Sequence, residues 1–579
     1  MIRRILLIAA ALVAAVSTVT HWSLMLVAVA LYVATVLMAR RSHVIRRSGD
    51  ADQTGAAIVL SVATGIVVLH AGADPASVFL AAILLALLHG LHLLRHVLRV
   101  LVYRRWRAAA DWRNLTVAAP VPNRVVQVAG PTLVPIPVWV LAPICAVYDA
   151  DPIVYVLLGL LCLALVVITF VPVADALLGN LRMPPEQQRL DALTASLRIM
   201  NPEILVHFNA RAASAYAINE WMTVLGRLNT THRVVILTVD REPWHFETIT
   251  GSEIPIVHLN GAEAIEYFVE RVPSLMLALY PRNTSPNKNL LRVPGLYDAY
   301  INHGESDKAE SANPATRAFD EIWIAGDAAM ARYLDANLGV REEQLRITGR
   351  PQLSELLELV AATPRTDATK SVVYAPTWEG YYAEDGYGSV VTMGERVLSA
   401  LLDRGDVAVT YVPHPALGSL SRPFAEASDR LVTRLKRAGG HSVLEGSAQE
   451  RYAALAAADV LVADIGSDLV DYLSLGRPYV ALNPNESETT AEFLQANPSA
   501  SAGIVVSVAS IDTLDRAISR ALGPDDLAIE RTALARRYLG DLATPAIDRF
   551  VAEVDACLAH IHDSRPARRL PAPAEEAAE

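Results

Sequence analysis

Cysteine is scarce: Cys145, Cys162 and Cys557 are the only three in 579 residues. Thiols so few and so widely spaced make neither a disulfide framework nor a thiolate metal cluster. The first two lie in apolar runs, where a thiol acts as a small hydrophobe. Excess basic charge is also lacking. The net charge of −11 argues against a general nucleic-acid binder. The usual phosphate-handling signatures are missing too. There is no Gly-x-x-x-x-Gly-Lys-Ser/Thr loop, no clear Gly-x-Gly-x-x-Gly fingerprint, no Gly-x-Ser-x-Gly elbow and no convincing acidic metal site. No cofactor and no metal are expected.

Apolar residues are plentiful, 53% of the chain, and the excess falls in the first third. Ile5 to Val19 and Leu24 to Met38 form one pair of runs; Ala56 to Leu69 and Val78 to Leu94 form another. Arg3 and Arg4 precede the first run, so a signal peptide is an alternative for it. The second run follows at once, which favours a membrane hairpin. Basic clusters follow each pair: Arg40, Arg41, Arg46 and Arg47, then Arg95, Arg99, Arg104, Arg105 and Arg107. Both fall on one side, which the positive-inside rule assigns to the cytoplasm. Leu133 to Val147 is apolar but carries three prolines, and Ile153 to Val173 has the length of a span, about 20 residues. The expectation is an all-α polytopic transmembrane region over residues 1–181 with six spans, or four if the proline-rich run does not cross. His89 and His92 near one span end read as interfacial side chains or as ligands or proton carriers.

From Arg182 onward the apolar runs shorten to strand length and alternate with helical patterns. Glu203 to Phe208, Arg233 to Val239, Ile254 to His258, Leu275 to Leu279 and Glu321 to Ala325 read as strands; Ala215 to Leu228 and Ala262 to Val272 read as helices. After a polar linker, Thr363 to Lys370, a second series runs Val372 to Tyr374, Val407 to Val412, Val460 to Ala463, Tyr479 to Leu482 and Ile504 to Val506. Repeated βα units predict two consecutive parallel sheets, a pair of Rossmann-type lobes over residues 182–362 and 363–562. Residues 563–579, rich in Pro, Ala and Glu, read as a disordered tail.

The stretch that organises the second lobe is Ala458 to Pro484. It reads as strand, turn (Asp464-Ile465-Gly466-Ser467), short helix and strand. Such a turn can present unpaired N–H groups to a phosphate, or be an ordinary capped βα turn. Three other segments fall at strand ends: Ile301 to Lys308, Val373 to Glu379, and Tyr411 to Pro415. His303, in a loop before a glycine, suits a general base near neutral pH or a plain surface position. His414, fixed between two prolines, can donate to a phosphate oxygen or pack in a turn. Thr377 offers a hydroxyl and an N–H after a strand, and Trp378 is a core or cleft-wall residue. Histidines, hydroxyls and helix starts without a metal site suit group transfer from a nucleotide diphosphate.

These residues resemble the CDP-glycerol glycerophosphotransferases, the family of teichoic acid primases and polymerases. His303-Gly304 with Lys308 is similar to its His-Gly-x-x-x-Lys motif, and Tyr374 to Trp378 to its Tyr-Ala-Pro-Thr-Trp stretch. His414-Pro415 resembles its His-Pro motif. Asp464 to Ser467, Asp471 and Arg477-Pro478 resemble its Asp-Tyr-Ser-Ser…Asp…Arg-Pro segment. The chain departs from the pattern at Glu379, where the family has a basic residue, and at Glu305-Ser306-Asp307, where it has Thr-Pro-Leu. Gly349-Arg350-Pro351 stands for its Gly-Tyr-Pro-Arg type segment. The resemblance implies a GT-B-like pair of lobes, cytoplasmic and anchored in the cell membrane. The implied reaction moves a polyol phosphate from a CDP-activated donor to a lipid-linked acceptor, releasing CMP. His303 would take the acceptor proton, and His414, Thr377 and Ser467 would hold the diphosphate. Lys308, Trp378 and Asp464 would bind substrate. Asp471 would contact the donor or orient a second-lobe group, and Arg477 would pair with phosphate or support its loop. Two alternatives stand: a nucleotide-sugar glycosyltransferase on the same lobes, and a membrane protein whose altered lobes only bind.

Overall fold

The computed structural model describes residues 111–115, 184–208, 215–239, 253–259, 261–308, 311–362, 369–380, 386–444 and 448–564, with isolated positions between 151 and 164. The chain divides into two units: residues 1–108 with 120–185, and residues 109–119 with 186–579. In the first, the described positions from Ile153 are helical, and Ile153, Leu157 and Leu160 are exposed on one helical face. Among the described residues no helix is long and apolar enough to cross a membrane. Apart from those positions, the proposed spans lie outside the described residues, as do His89, His92, Cys145, Cys162 and residues 565–579 of the tail.

The second unit carries two sheets. The first holds β1 (Asp111–Arg113), β2 (Ile204–Phe208), β3 (Val234–Thr238), β4 (Ile256–His258), β5 (Leu277–Tyr280), β6 (Tyr297–Tyr300), β7 (Glu321–Ile324) and β8 (Leu345–Ile347). Their spatial order is β1-β4-β3-β2-β5-β6-β7-β8. All neighbours are parallel except β1, which pairs antiparallel with β4. The second sheet holds β9 (Lys370–Ala375), β10 (Val407–Tyr411), β11 (Ser442–Val443), β12 (Val460–Ala463), β13 (Tyr479–Asn483) and β14 (Ile504–Ser507). Its order is β11-β10-β9-β12-β13-β14, parallel throughout.

Both sheets are doubly wound, and the order of strands reverses between β2 and β5 and between β9 and β12. Ligands of such sheets bind at these reversals, beyond the carboxyl ends of the strands, where the two flanking connections leave in opposite directions and open a crevice. Alternate residues along the central strands feed two cores. In the first lobe Leu205, Val235 and Ala278 face one layer, while Ile204, Val206, Ile236 and Leu279 face the other. In the second lobe Val373, Leu461 and Ala481 oppose Val372, Val460 and Val480. Burial on both faces is why these strands read as continuous apolar runs rather than alternating ones. Each fully buried Val, Leu or Ile contributes about 1.5–3 kcal/mol.

Three features depart from the sequence reading. β1, within the residues assigned to the transmembrane region, extends the first sheet, with Trp112 in its core. The helix read as Ala215 to Leu228 is two, Tyr216–Asn219 and Met222–Thr231. The break falls at Glu220 and Trp221, whose side chains are drawn toward other elements: Glu220 into an ion cluster, Trp221 to the carbonyl of Asn302 at 2.7 Å. The last helix, Ala546–Ser564, packs not in the second lobe but in the first, burying Ile547, Phe550, Val554, Leu558 and Ile561 against β2 and β5 side chains. The chain therefore crosses between lobes twice.

Candidate active site at the facing switch points

At the first-lobe reversal, β5 runs out into Pro281 and Arg282, and β6 into Asn302 and His303. Asn302 sits in the left-handed region, φ 52°, a conformation Asn tolerates better than most residues. Its side chain ties the turn together: Oδ1 accepts from the His303 N–H (2.8 Å) and the Tyr300 hydroxyl (3.0 Å), and Nδ2 donates to the Gly304 carbonyl (2.6 Å). His303 Nδ1 donates to the Pro281 carbonyl at 3.2 Å. A carbonyl can only accept, so this bond fixes the tautomer and leaves Nε2 with a lone pair, the arrangement a general base needs. Burial, and then the Arg282 guanidinium, push the His303 pKa down to about 3.

His414 is fixed in the opposite tautomer. Its Nδ1 accepts from the Ala416 N–H at 3.0 Å, so in the neutral ring Nε2 carries the proton and is a donor. Burial, and then Lys308, hold its pKa well below the usual value. Tyr216 lies edge-on to both rings, 5.7 Å from His303 and 5.3 Å from His414 between centroids. Trp378 runs nearly parallel to His414, 24° off with centroids 6.3 Å apart.

At the second-lobe reversal, β9 leads to Thr377 and β12 to Asp464. Asp464 is buried and accepts from the Thr377 N–H (2.9 Å) and the Ser389 N–H (3.0 Å). Burial pushes its pKa up to about 6. The carboxylate builds the loop that presents Thr377. Lys308 crosses from the first lobe and donates to Thr377 Oγ at 2.6 Å. Ser467 opens a helix of only seven residues, Ser467–Leu473, too short for a large dipole, so the formal charge here comes from Lys308. A β-carbon on Gly304 would stand 3.1 Å from Ser467 Cβ, closer than packed carbons normally come. Glycine therefore lets the two lobes touch at this point.

Asp471 and Arg477 do not reach the cleft. Asp471 is fully buried and takes a two-pronged bond from Arg350, through Nε and through Nη2 at 2.9 Å, with the Tyr452 hydroxyl at 3.3 Å. It orients Arg350, which in turn donates to the His303 carbonyl at 3.2 Å. Arg477 donates to the carbonyls of Ala456 and Ala458, both at 2.7 Å, closing the end of the helix Ala448–Ala457. Through these bonds Arg477 supports its loop.

The departures from the family pattern are turned inward. Glu379 accepts from the N–H groups of Gly418, Leu420 and Ser421 at 2.7–2.8 Å, ahead of the helix Arg422–Ala438. Glu305 pairs with Arg332 at 2.6 Å. Asp307 accepts from the Ser499 N–H and the Tyr538 hydroxyl.

Sequence reasoning overlooked Tyr216, Arg282, Glu220 and Arg451. Arg451 pairs with Glu220 (2.9 Å) across the lobes and with Asp468 (2.7 Å), all buried. Arg282 lies two residues past a strand end, which was its only signal in the sequence. Beside His414 lies a cavity of about 620 Å³, walled by Tyr216 and Glu220 from one lobe and by Leu417, Ser428, Asp429 and Gln449 from the other.

Residues 298–490 match the family model of CDP-glycerol:poly(glycerophosphate) glycerophosphotransferase. Similar solved structures include the wall teichoic acid polymerase TagF, 14% identical over 65% of this chain and 94% of that one, with a TM-score of 0.42. A glycosyltransferase from Rickettsia africae is 11% identical over 63% and 99%, TM-score 0.41. A UDP-GlcNAc 2-epimerase from Neisseria meningitidis, bound to UDP-GlcNAc, is 11% identical over 62% and 99%, TM-score 0.39. No curated protein matches the chain by sequence. The matched segment takes in all four motifs of the site, and across residues 298–490 the chain is similar to the CDP-glycerol:poly(glycerophosphate) glycerophosphotransferase family, a family of transferases.

Proposed function

We propose that this chain transfers a polyol phosphate, glycerol phosphate or a close relative, from a CDP-activated donor to a hydroxyl of a lipid-linked envelope acceptor. The observation that carries the reading is the pair of neutral histidines in opposite tautomers, one from each lobe, both packed against Tyr216. The acceptor oxygen attacks the phosphorus that bears the polyol, and its proton passes to His303 Nε2. The anhydride P–O bond breaks and its electrons leave with CMP. His414 Nε2–H donates to a phosphate oxygen of the departing CMP, while Lys308, Arg282, Thr377 and Ser467 meet the remaining charge. Donors aimed where charge builds up contribute most of the rate enhancement in such transfers. The cavity beside His414 takes the cytidine, its polar walls (Ser428, Asp429 and Gln449) offering hydrogen-bond partners to the base and ribose, and Leu417 and Val432 an apolar surface.

Anchoring supports the same reading. The apolar runs before residue 181 and the exposed Ile153, Leu157 and Leu160 suit a membrane-embedded unit. An anchor there keeps cytoplasmic lobes near a lipid-linked acceptor and raises the effective concentration of one for the other.

The test is a calorimetric titration of the detergent-purified protein with CDP-glycerol, CDP-ribitol, CMP and a panel of UDP- and GDP-sugars, followed by turnover assays. Selective cytidine-nucleotide binding is expected, with turnover lowered roughly 10²- to 10⁴-fold in His303→Gln at unchanged donor affinity. Preference for a UDP- or GDP-sugar would replace the polyol-phosphate reading with a glycosyltransferase. Binding without turnover of any donor would leave a binding protein.

A further inference from the structure

The loop from His303 to Lys308 belongs to the first lobe by chain order, yet within six residues it meets the second lobe at three points. Gly304 abuts Ser467, Lys308 bonds Thr377, and Asp307 spans two second-lobe donors. Asp307 Oδ2 accepts from the Ser499 N–H at 2.8 Å, and Oδ1 accepts from the Tyr538 hydroxyl at 2.6 Å. Ser499 lies in the turn Pro498–Ala500, and Tyr538 is packed in the second-lobe core on the helix Ala528–Leu539. The Asp307 side chain is 6% exposed. A desolvated carboxylate is costly unless its oxygens are bonded, and here both are. Gly304 and Lys308 follow the family pattern; Asp307 stands where that pattern has Leu, so this contact is an addition of this chain.

We propose that Asp307 is a positioning residue for His303. It ties the loop that carries His303 to the second lobe, so that docking of the lobes and placement of the base opposite the diphosphate site become one event. On the first-lobe side the loop is held by Asn302, and by Glu305 through Arg332, which also stands 3.8 Å from Asp307. Asp307 supplies the second-lobe hold without waiting for substrate. Leu in its place offers neither Ser499 nor Tyr538 an acceptor, leaving the loop held across the cleft by Lys308 and a glycine contact alone. Asn retains both bonds, because Oδ1 can accept from Ser499 while Nδ2 donates to the Tyr538 oxygen.

This inference rests on the proposed transfer, so its test has one readout that does not. Hydrogen exchange of the full-length protein in detergent, followed by mass spectrometry, reports protection of amides in residues 301–308 and 498–503. Asp307→Leu is expected to lose protection in both segments, Asp307→Asn to keep it, and Tyr538→Phe, which retains the packed ring, to lose part of it. In turnover with the donor that binds the wild type, Asp307→Leu is expected to lower kcat roughly ten- to hundredfold with donor Kd unchanged within about twofold, and Asp307→Asn to restore it. Wild-type exchange in Asp307→Leu, or donor affinity falling in parallel with kcat, would overturn the proposal, as would Asp307→Asn being as impaired as Asp307→Leu. A wild type that turns over no CDP-polyol would sink the transfer reading and leave the tie to be judged by exchange alone.

Discussion

At the scale of single residues, the site depends on small groups that set the geometry of larger ones. Asn302 holds a left-handed turn and three hydrogen bonds. Asn302→Ala strains the backbone and removes all three bonds; a loss of about 2–3 kcal/mol is expected. Asn302→Gly should recover the backbone share alone, and thermal melts of the three proteins would separate the two contributions. At Asp464, substitution by Asn keeps an acceptor for both N–H groups, whereas Ala leaves two buried donors orphaned. A destabilisation of about 2–4 kcal/mol is expected for Asp464→Ala and much less for Asp464→Asn, read from the same melts.

The protonation of His303 yields a pH prediction. With its pKa near 3 in the free protein, the base is already neutral well below pH 6, so kcat/KM should show no acid limb from His303 between pH 6 and 7. A bound diphosphate offsets the nearby cations and raises that pKa. The acid limb of kcat, which reports the bound enzyme, should therefore lie at higher pH than that of kcat/KM. Coincident limbs at pH 6–7 would contradict this assignment of the base.

Among the elements, the helix Arg422–Ala438 is the plainest case of one residue serving a whole segment. The N–H groups of the turn before it, those of Gly418, Leu420 and the N-cap residue Ser421, converge on the Glu379 carboxylate. An anion is favoured at that position and a cation is not, because the helix start carries partial positive charge. Glu379→Lys restores the family's charge type yet should destabilise the lobe by more than Glu379→Gln, about 3 kcal/mol or more against about 1–2. Denaturation midpoints of the two variants decide it. Equal midpoints would mean that Glu379 is not the cap.

For the molecule as a whole, stability and lobe docking share a buried charge cluster: Glu220, Arg350, Arg451, Asp468 and Asp471. Removing one member leaves its partners charged and unpaired, and Arg451→Ala should cost about 3–5 kcal/mol. The double variant with Glu220→Ala should cost less than the sum of the two single changes, the signature of coupling. Buried His207 adds a global pH dependence. Burial lowers its pKa to about 4, while the unfolded chain protonates it near 6.5. Below that value the unfolded state binds the proton and the folded state does not, so stability is full above about pH 7 and is lost as pH falls from 6.5 toward 4. At pH 5.5 the loss from this group is about 1.4 kcal/mol. Melting temperatures at pH 7.5 and 5.5, for the wild type and His207→Leu, would show whether His207 carries it.

The sequence by itself determined the central parallel strands of both sheets and the four motifs at their strand ends. Both signals are local: an apolar run buried on two faces looks the same in any environment, and a motif needs only its own spacing. For that reason the bounds of β12 in the fold are those its apolar run indicates. What the tertiary structure alone decided is where each polar side chain spends its hydrogen bonds. Asp464, Asp471 and Arg477 stand in the motif beside Ser467, yet all three face inward, because their partners (Thr377 and Ser389, Arg350, and the carbonyls of Ala456 and Ala458) come from other segments. The same holds for Glu379 and Asp307, whose charge in the sequence carries no sign of the donors waiting for it. The last helix returns to the first lobe because its apolar face fits a groove built by strands more than two hundred residues earlier in the chain, a match that no local pattern contains.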